Sequence, residues 1–140
     1  MARVTIESID SYEFETTLEI RVSDLNYGNH LANDSVLTLA HEARLRYLAA
    51  LGYTEFDIEG VGLLQVDAAI LYRAQGKWGQ KIKIEVAMRE AGKVGCDFFF
   101  LFTDLETEGE IAQVKTGMVF FDYGKQKICR SPNMKKLPKA

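Results

Sequence analysis

"NDSVLTLAHEARLRYLAALG", residues 33–52, decides the fold. Val36, Leu37, Ala40, Ala43, Tyr47, Leu48 and Leu51 recur at steps of three and four, the spacing that lays side chains along one side of a helix. Asn33 or Asp34 is placed to cap its start, since a short side-chain oxygen can accept from an amide of the first turn. Gly52 is placed to end it. The spacing predicts a helix of about 18 residues, the one long helix in the chain.

On either side of this helix the repeat changes to two. Ahead of it, Tyr12, Phe14, Thr16, Leu18, Ile20 and Val22 alternate with Glu13, Glu15, Thr17, Glu19, Arg21 and Ser23, the pattern of a strand with one buried face. Behind it, the stretch from Gly62 to Arg73 puts Leu64, Val66, Ala68, Ile70 and Tyr72 on one side and leaves Asp67 opposite with Gln65 and Arg73. "KIKIEVAMR" (81–89) alternates with Ile82, Ile84, Val86 and Met88 inward. "VGCDFFFLFTDLE" (94–106) is nearly apolar on both faces, so it belongs at the centre of a sheet or at a subunit contact. "EIAQVKTGMVFFDY" (110–123) closes the series. The breaks "RAQGKWGQ", "EAGKVG" and "ETEGE" are turn-like, and short turns require antiparallel neighbours. The class is therefore α+β, an antiparallel sheet of about five strands wrapped around one long helix whose stripe it buries.

At 140 residues the chain is most simply one domain, 1–140, with a core over about 11–123 and a basic C-terminal tail over 124–140. An apolar fraction of 47% and a charged fraction of 26% place it among globular chains and exclude disordered and fibrous classes. A net charge of −3 argues against a nucleic-acid partner. The tail "GKQKICRSPNMKKLPKA" is rich in Lys and Arg and reads as a solvated terminus or as a meeting place for an anionic ligand. Cys96 and Cys129 fit no metal or redox spacing, and Cys96, in an apolar run, reads as a reduced packing residue. His30 and His41 have no third ligand at metal spacing, so no metal is expected. No apolar run approaches the roughly 20 residues of a membrane span. "MARVTIESID" lacks the apolar stretch of a signal peptide, so a cytoplasmic protein with no membrane partner is expected.

Between the first strand and the helix runs "VSDLNYGNHLAND" (22–34), dense in side chains that cap, turn or move protons. "DLNYGNHLAND" (24–34) followed by "HEARLRYL" (41–48), set in the order strand, helix, four strands, resembles the hotdog fold. Within that fold it is similar to the 4-hydroxybenzoyl-CoA and acyl-CoA thioesterase branch. That branch carries Asp-x-Asp-x-x-Gly-His-Val-Asn-Asn ahead of a helix with Glu-x-Arg, and the interval from His30 to Arg44 fits it without a gap. "GVGLLQVDAAILYRAQGKWGQKIKIEV" (60–86) is similar to the family's glycine, long strand, tyrosine, turn and next strand. The likeness covers Ser11 to Tyr123.

The resemblance implies an acyl-CoA thioesterase, in which water attacks a thioester to release free acid and coenzyme A. Coenzyme A enters as part of the substrate and not as a cofactor. The resemblance also implies a homodimer or homotetramer with sites between subunits. Where the family has its catalytic carboxylate, this chain has Asn26, a neutral amide that does not accept a proton near neutral pH. By the likeness, Asn26 orients water or the thioester carbonyl. His30, whose ordinary pKa lies near neutrality, binds or deprotonates water. The backbone amides of Asn33 and Asp34, at the positive end of the helix, hold the oxyanion.

Each assignment has a plainer alternative. Asn26 suits a turn, His30 a tie between loop and helix start, and Asp24 and Asp34 loop closure and capping. Asp67 reads as an exposed or interface residue paired with Arg73 or water, or as the carboxylate missing at 26, supplied by its own subunit or a partner. Glu42 matches the family's helix glutamate and is also an i,i+4 partner for Arg46; His41 is given no role. Arg73, Lys77 and Arg130 are the candidate cations for the coenzyme phosphates, with Lys81, Lys125 and Lys127 as alternatives and Trp78 or Tyr72 for adenine. Two other functions compete. A non-catalytic acyl-thioester-binding module is favoured by the lost carboxylate. A hotdog enoyl-CoA hydratase carries Asp-x-Asn-Pro-x-His, which "DLNYGNH" approaches without the proline and with the histidine one residue further on.

Overall fold

The helix forms where the three-and-four spacing predicts it: α1 spans Asn33–Ala50. In this computed structural model, which describes residues 3–134 and of Glu90 only the backbone, its end is closed by glycine. Gly52 takes φ 80°, its amide donates to Ala49 O at 3.0 Å, and the Tyr53 amide donates to Leu48 O at 2.8 Å. A left-handed residue can turn the chain back onto the last carbonyls in this way, and glycine does so without steric cost. The start differs from expectation. Ala32, not Asn33 or Asp34, is the N-cap, and it offers no side-chain bond. The Leu31 amide is held by Gly76 O at 2.8 Å and the Ala32 amide by Asp24 O at 2.9 Å, so the chain stays extended through Ala32 and turns helical one residue later. Asn33 and Asp34 are the first helical residues, and Asp34 keeps a carboxylate at the positive end of the helix.

The sheet is built from β1 (Phe14–Glu19), β2 (Gly62–Tyr72), β3 (Lys81–Glu90), β4 (Gly95–Asp104) and β5 (Glu110–Asp122), in the order β1-β3-β4-β5-β2, with β6 (Lys127–Ile128) added to β5. Every pairing is antiparallel. β1 is shorter than its sequence repeat because the chain leaves the sheet into a tight turn at Val22–Asp24. The doubly apolar strand β4 is central, as its composition requires. Cys96, Phe98, Phe100 and Phe102 project from it toward the helix and are fully buried with Ile82, Ile84, Val86, Val114 and Phe120. The helix meets them with Val36, Leu39, Ala40, Ala43, Tyr47 and Leu48. Emptying any one of those phenylalanine sites costs about 3–5 kcal/mol. On the other face of β4, Phe99 is only 4% exposed and lies in a pocket with Ile6 and Ile9 of the N-terminal segment. This is the hotdog arrangement.

β2 breaks the two-residue repeat. Gln65 pairs with Met118 and Asp67 with Gly117, which leaves Val66 as a bulge and reverses the parity beyond it. Gln65 therefore faces the helix together with Ala68, Ile70 and Tyr72, while Leu64 and Asp67 face outward. The basic tail is built in at its start: Cys129 N–H donates to Phe120 O at 2.9 Å, Ser131 N–H to Lys93 O at 2.8 Å, and Met134 packs on the core. Lys135, Lys136 and Lys139 lie outside the described residues. Among the described residues, no helix is long and apolar enough to cross a membrane.

Candidate active site

The loop before the helix is a small hairpin with its own bonds. The Asp24 carboxylate, nearly buried, accepts the Arg21 amide at 2.8 Å and two guanidinium nitrogens at 3.4 Å, which fastens the tight turn. Leu25 then pairs with Leu31, and the Asn26 amide donates to His30 O at 2.9 Å. Asn29 closes the bend at φ 63°, a conformation asparagine tolerates. Asn26 Oδ1 accepts two amides, Gly28 at 2.9 Å and His30 at 3.3 Å. Asn26 and His30 come together around Gly28: a Cβ on that glycine would stand 3.3 Å from Asn26 Oδ1 and 3.9 Å from His30 Nδ1. The turn-forming reading of Asn26 thus has a direct physical basis. His30 also pairs through its backbone with Lys77, which ties the hairpin to the turn after β2.

The helix start opens onto a cleft of about 230 Å³ lined by Leu31, Asn33, Val36, Tyr72, Arg73 and Ile111, among others. The Ser35 amide is taken by Ala32 O at 3.0 Å, whereas the amides of Asn33 and Asp34 have no acceptor among the described residues. Tyr72, the last residue of β2, donates its hydroxyl to Asn33 O at 3.0 Å. Burial, and then the Asp34 carboxylate, raise the Tyr72 pKa above its ordinary value, so the phenol remains a donor through neutral pH. Arg73 pairs with Glu110 at 3.2 Å and stays half exposed at the rim. A second cleft of about 470 Å³, which shares Gln75 with the first, is lined by Lys77, Trp78 and Lys81.

Two expected members stand apart. Asp67 is carried by the bulge to the outer face, where it lies over Gly117: a Cβ there would be 2.1 Å from Asp67 Oδ1. Its charge acts on Lys115 and Asp97, and Arg73 is bonded to Glu110 instead. Arg130 follows β6, which pairs with β5 at Phe121 and Asp122, whereas Tyr72 and Arg73 adjoin Ala112 and Ile111 at the opposite end of the same strand. Cys129, next to Arg130, bonds Phe120, eight steps along the strand from Ala112, or about 26 Å. Arg130 is therefore not gathered with Arg73 and Lys77 in one chain.

One polar cluster escaped the sequence reading. Arg44, 3% exposed, donates to Glu55 Oε2 at 3.2 Å and to Gln65 Oε1 at 3.2 Å, and lies 5.8 Å over the Phe98 ring. His41 Nε2 bonds the other Glu55 oxygen. Burial pulls the Arg44 pKa below its ordinary value and Glu55 opposes the shift. Glu42 forms the expected pair with Arg46, at 2.8 Å.

Comparison with solved structures returns thioesterases. The chain is similar to Slr0204, a 1,4-dihydroxy-2-naphthoyl-CoA thioesterase from Synechocystis, with a TM-score of 0.78 at 17% identity over 85% of this chain and 89% of that one. It is similar to BH1999, a gentisyl-coenzyme A thioesterase, with a TM-score of 0.77 at 17% identity over 89% of this chain and 100% of that one. The 12:0-ACP thioesterase from Umbellularia californica aligns with a TM-score of 0.74 at 17% identity, over 86% of this chain and 46% of that one. At these identities the likeness establishes the fold. No curated protein matches the chain. A family model, that of the thioesterase-like superfamily, matches residues 20–136. That span takes in the hairpin, the helix and every strand from β2 to β6, and the chain belongs to the thioesterase-like superfamily.

Proposed function

We propose that the chain hydrolyses acyl-CoA thioesters at the start of α1. The observation that carries this reading is the pair of amides at Asn33 and Asp34, without acceptors among the described residues, beside a cleft rimmed by Arg73. Such amides carry partial positive charge and suit the oxyanion formed when a thioester carbonyl is attacked. His30 takes the proton from the attacking water, the C–S bond breaks, and that proton passes to the departing thiolate. Asn26 holds the hairpin that presents His30. Arg73 and Lys77 meet the coenzyme phosphates, and Trp78, 69% exposed beside Lys77, offers a face for adenine.

The active form is a homodimer joined through β2. Of the two sheet edges, β1 is short and bears Glu15, Thr17 and Glu19 outward, a blunted edge. β2 runs 11 residues with a single charge, Asp67, and exposes Leu64, Val66 and Tyr72. An unpaired apolar edge of that length favours pairing with a second copy. Asp67 reaches a thioester only by way of such a partner.

Thiol release from benzoyl-, hexanoyl- and lauroyl-CoA by wild type and His30→Ala tests the reading. Turnover by wild type that falls about 10²–10⁴-fold in the variant supports it. One observation favours a second reading: the residue in the family's carboxylate position is an amide whose oxygen is already engaged by two backbone donors. A module that binds acyl thioesters without turnover follows if no substrate is hydrolysed while a ketone analogue of benzoyl-CoA, with CH2 in place of sulfur, binds tightly.

A further inference from the structure

The peptide group joining Asn33 to Asp34 has two ends with different partners. Its N–H is one of the two amides without an acceptor among the described residues. Its C=O accepts the Tyr72 hydroxyl at 3.0 Å. The two ends belong to one conjugated plane. A donor on the oxygen withdraws density from the nitrogen and makes the N–H a stronger donor, as in any chain of hydrogen bonds. It also adds to the helix's own bond at that carbonyl a second constraint on the tilt of the plane, in the first turn where the amide has no bond to an earlier carbonyl.

We propose that Tyr72 is a positioning residue for thioester hydrolysis: its hydroxyl holds and polarises the Asn33–Asp34 peptide, so that the Asp34 amide meets the oxyanion. The proposal rests on the hydrolase reading above. The β2 bulge supplies the aim. Beyond Val66 the even-numbered residues face the helix, and Tyr72 is the last of them. Tyr72 is 48% exposed and lines the cleft at the helix start, which is not how a core tyrosine sits. The helix does not depend on this contact for its fold, since Val36, Leu39, Ala40, Ala43, Tyr47 and Leu48 anchor it in the core. Tyr72→Phe removes one oxygen and keeps the ring.

Three readouts on full-length wild type and Tyr72→Phe decide it: thiol-release kinetics on benzoyl-, hexanoyl- and lauroyl-CoA, melting temperature, and the carbonyl stretch of the bound CH2 analogue of benzoyl-CoA, labelled with 13C at the carbonyl. We expect kcat to fall about three- to tenfold, less than the loss of a whole oxyanion donor, with KM and melting temperature unchanged. The carbonyl band should shift less to the red in the variant than in wild type. An unchanged kcat overturns the proposal. So does a loss of activity that follows KM or melting temperature while the carbonyl band stays where it is in wild type. Wild type that binds the analogue and hydrolyses none of the three thioesters removes the hydrolase reading, and the band comparison then decides the Tyr72 contact alone. Where the analogue does not bind but a thioester is hydrolysed, the comparison of kcat with KM and melting temperature decides the Tyr72 role; no binding together with no turnover overturns both.

Discussion

Arg44 and Gln65 meet at 3.2 Å between α1 and β2, one residue before the bulge at Val66. The same guanidinium holds Glu55, which also takes His41, so the helix, the loop after it and the edge strand share one buried cation. Arg44→Ala would leave the Glu55 carboxylate, 14% exposed, with only the solvent-facing His41 beside it. We expect a loss of about 3–5 kcal/mol in urea unfolding. A loss below about 1 kcal/mol, the scale of an exposed ion pair, would show that the cluster is solvated and structurally idle.

Asn26→Asp keeps the hairpin and changes its chemistry. One carboxylate oxygen can accept the Gly28 and His30 amides that Asn26 Oδ1 accepts now. The second becomes available to take a proton from water. Thiol release should rise by roughly tenfold or more, within the range of an added general base. A fall instead would mean that the native amide serves a mechanism a negative charge disrupts.

Val66 is 57% exposed on the free edge of β2. Val66→Lys puts a charge where a second copy is expected to pair, at no cost to the core of its own chain. Sedimentation velocity should show a shift from dimer to monomer, with thiol release lost in parallel. A variant that remains dimeric at micromolar concentration places the subunit contact elsewhere.

Alkaline pH should destabilise the fold through groups that burial keeps neutral. Burial pushes the Cys96 thiol from an ordinary 9.0 up to about 12, and the Tyr47 phenol from 10.0 up to about 12. In both cases the folded value is the higher one. Their contribution to stability is therefore complete below pH 9 and is lost progressively as pH rises from 9 toward 12. The melting temperature should fall over that interval and recover in part in Cys96→Ala, after allowance for the smaller side chain. At pH 8 a disulfide reagent should label Cys129 readily and Cys96 only on unfolding, because a buried neutral thiol is a poor nucleophile. Rapid labelling of Cys96 in the folded protein would contradict this.

Much of the fold is legible because apolar spacing reports burial directly. Gly52 and the stripe from Val36 to Leu48 give the helix, and "FFFLF" gives the central strand, each from local sequence. The parity of β2 is different. A bulge adds one residue to one strand only, and nothing in "GLLQVDAAILY" marks Val66 as the extra one; the signal lies in its partner, where Gly117 makes room for Asp67. The N-cap falls at Ala32, not at Asn33 or Asp34, because bonds from Asp24 and Gly76, both outside the helix, hold the chain extended through Ala32. The candidate loop could be found by its residues but not resolved into roles, since the Asn26 oxygen serves amides that carry no sequence identity. The His41–Glu55–Arg44 cluster joins residues from a helix and a later loop, and only the fold brings them together.

The bulge at Val66 also bears on how far assembly can go. A straight, apolar edge accepts neighbours in several registers and can be extended without limit, which is the route to fibres. A strand with one fixed irregularity near its middle has few registers in which two copies fit, and in an antiparallel pair each copy covers the other's edge. Growth would then stop at two if the chain pairs through β2 as proposed. In such a pair, the residue that obscures the strand's pattern in the sequence is the one that would make its exposed edge safe to keep.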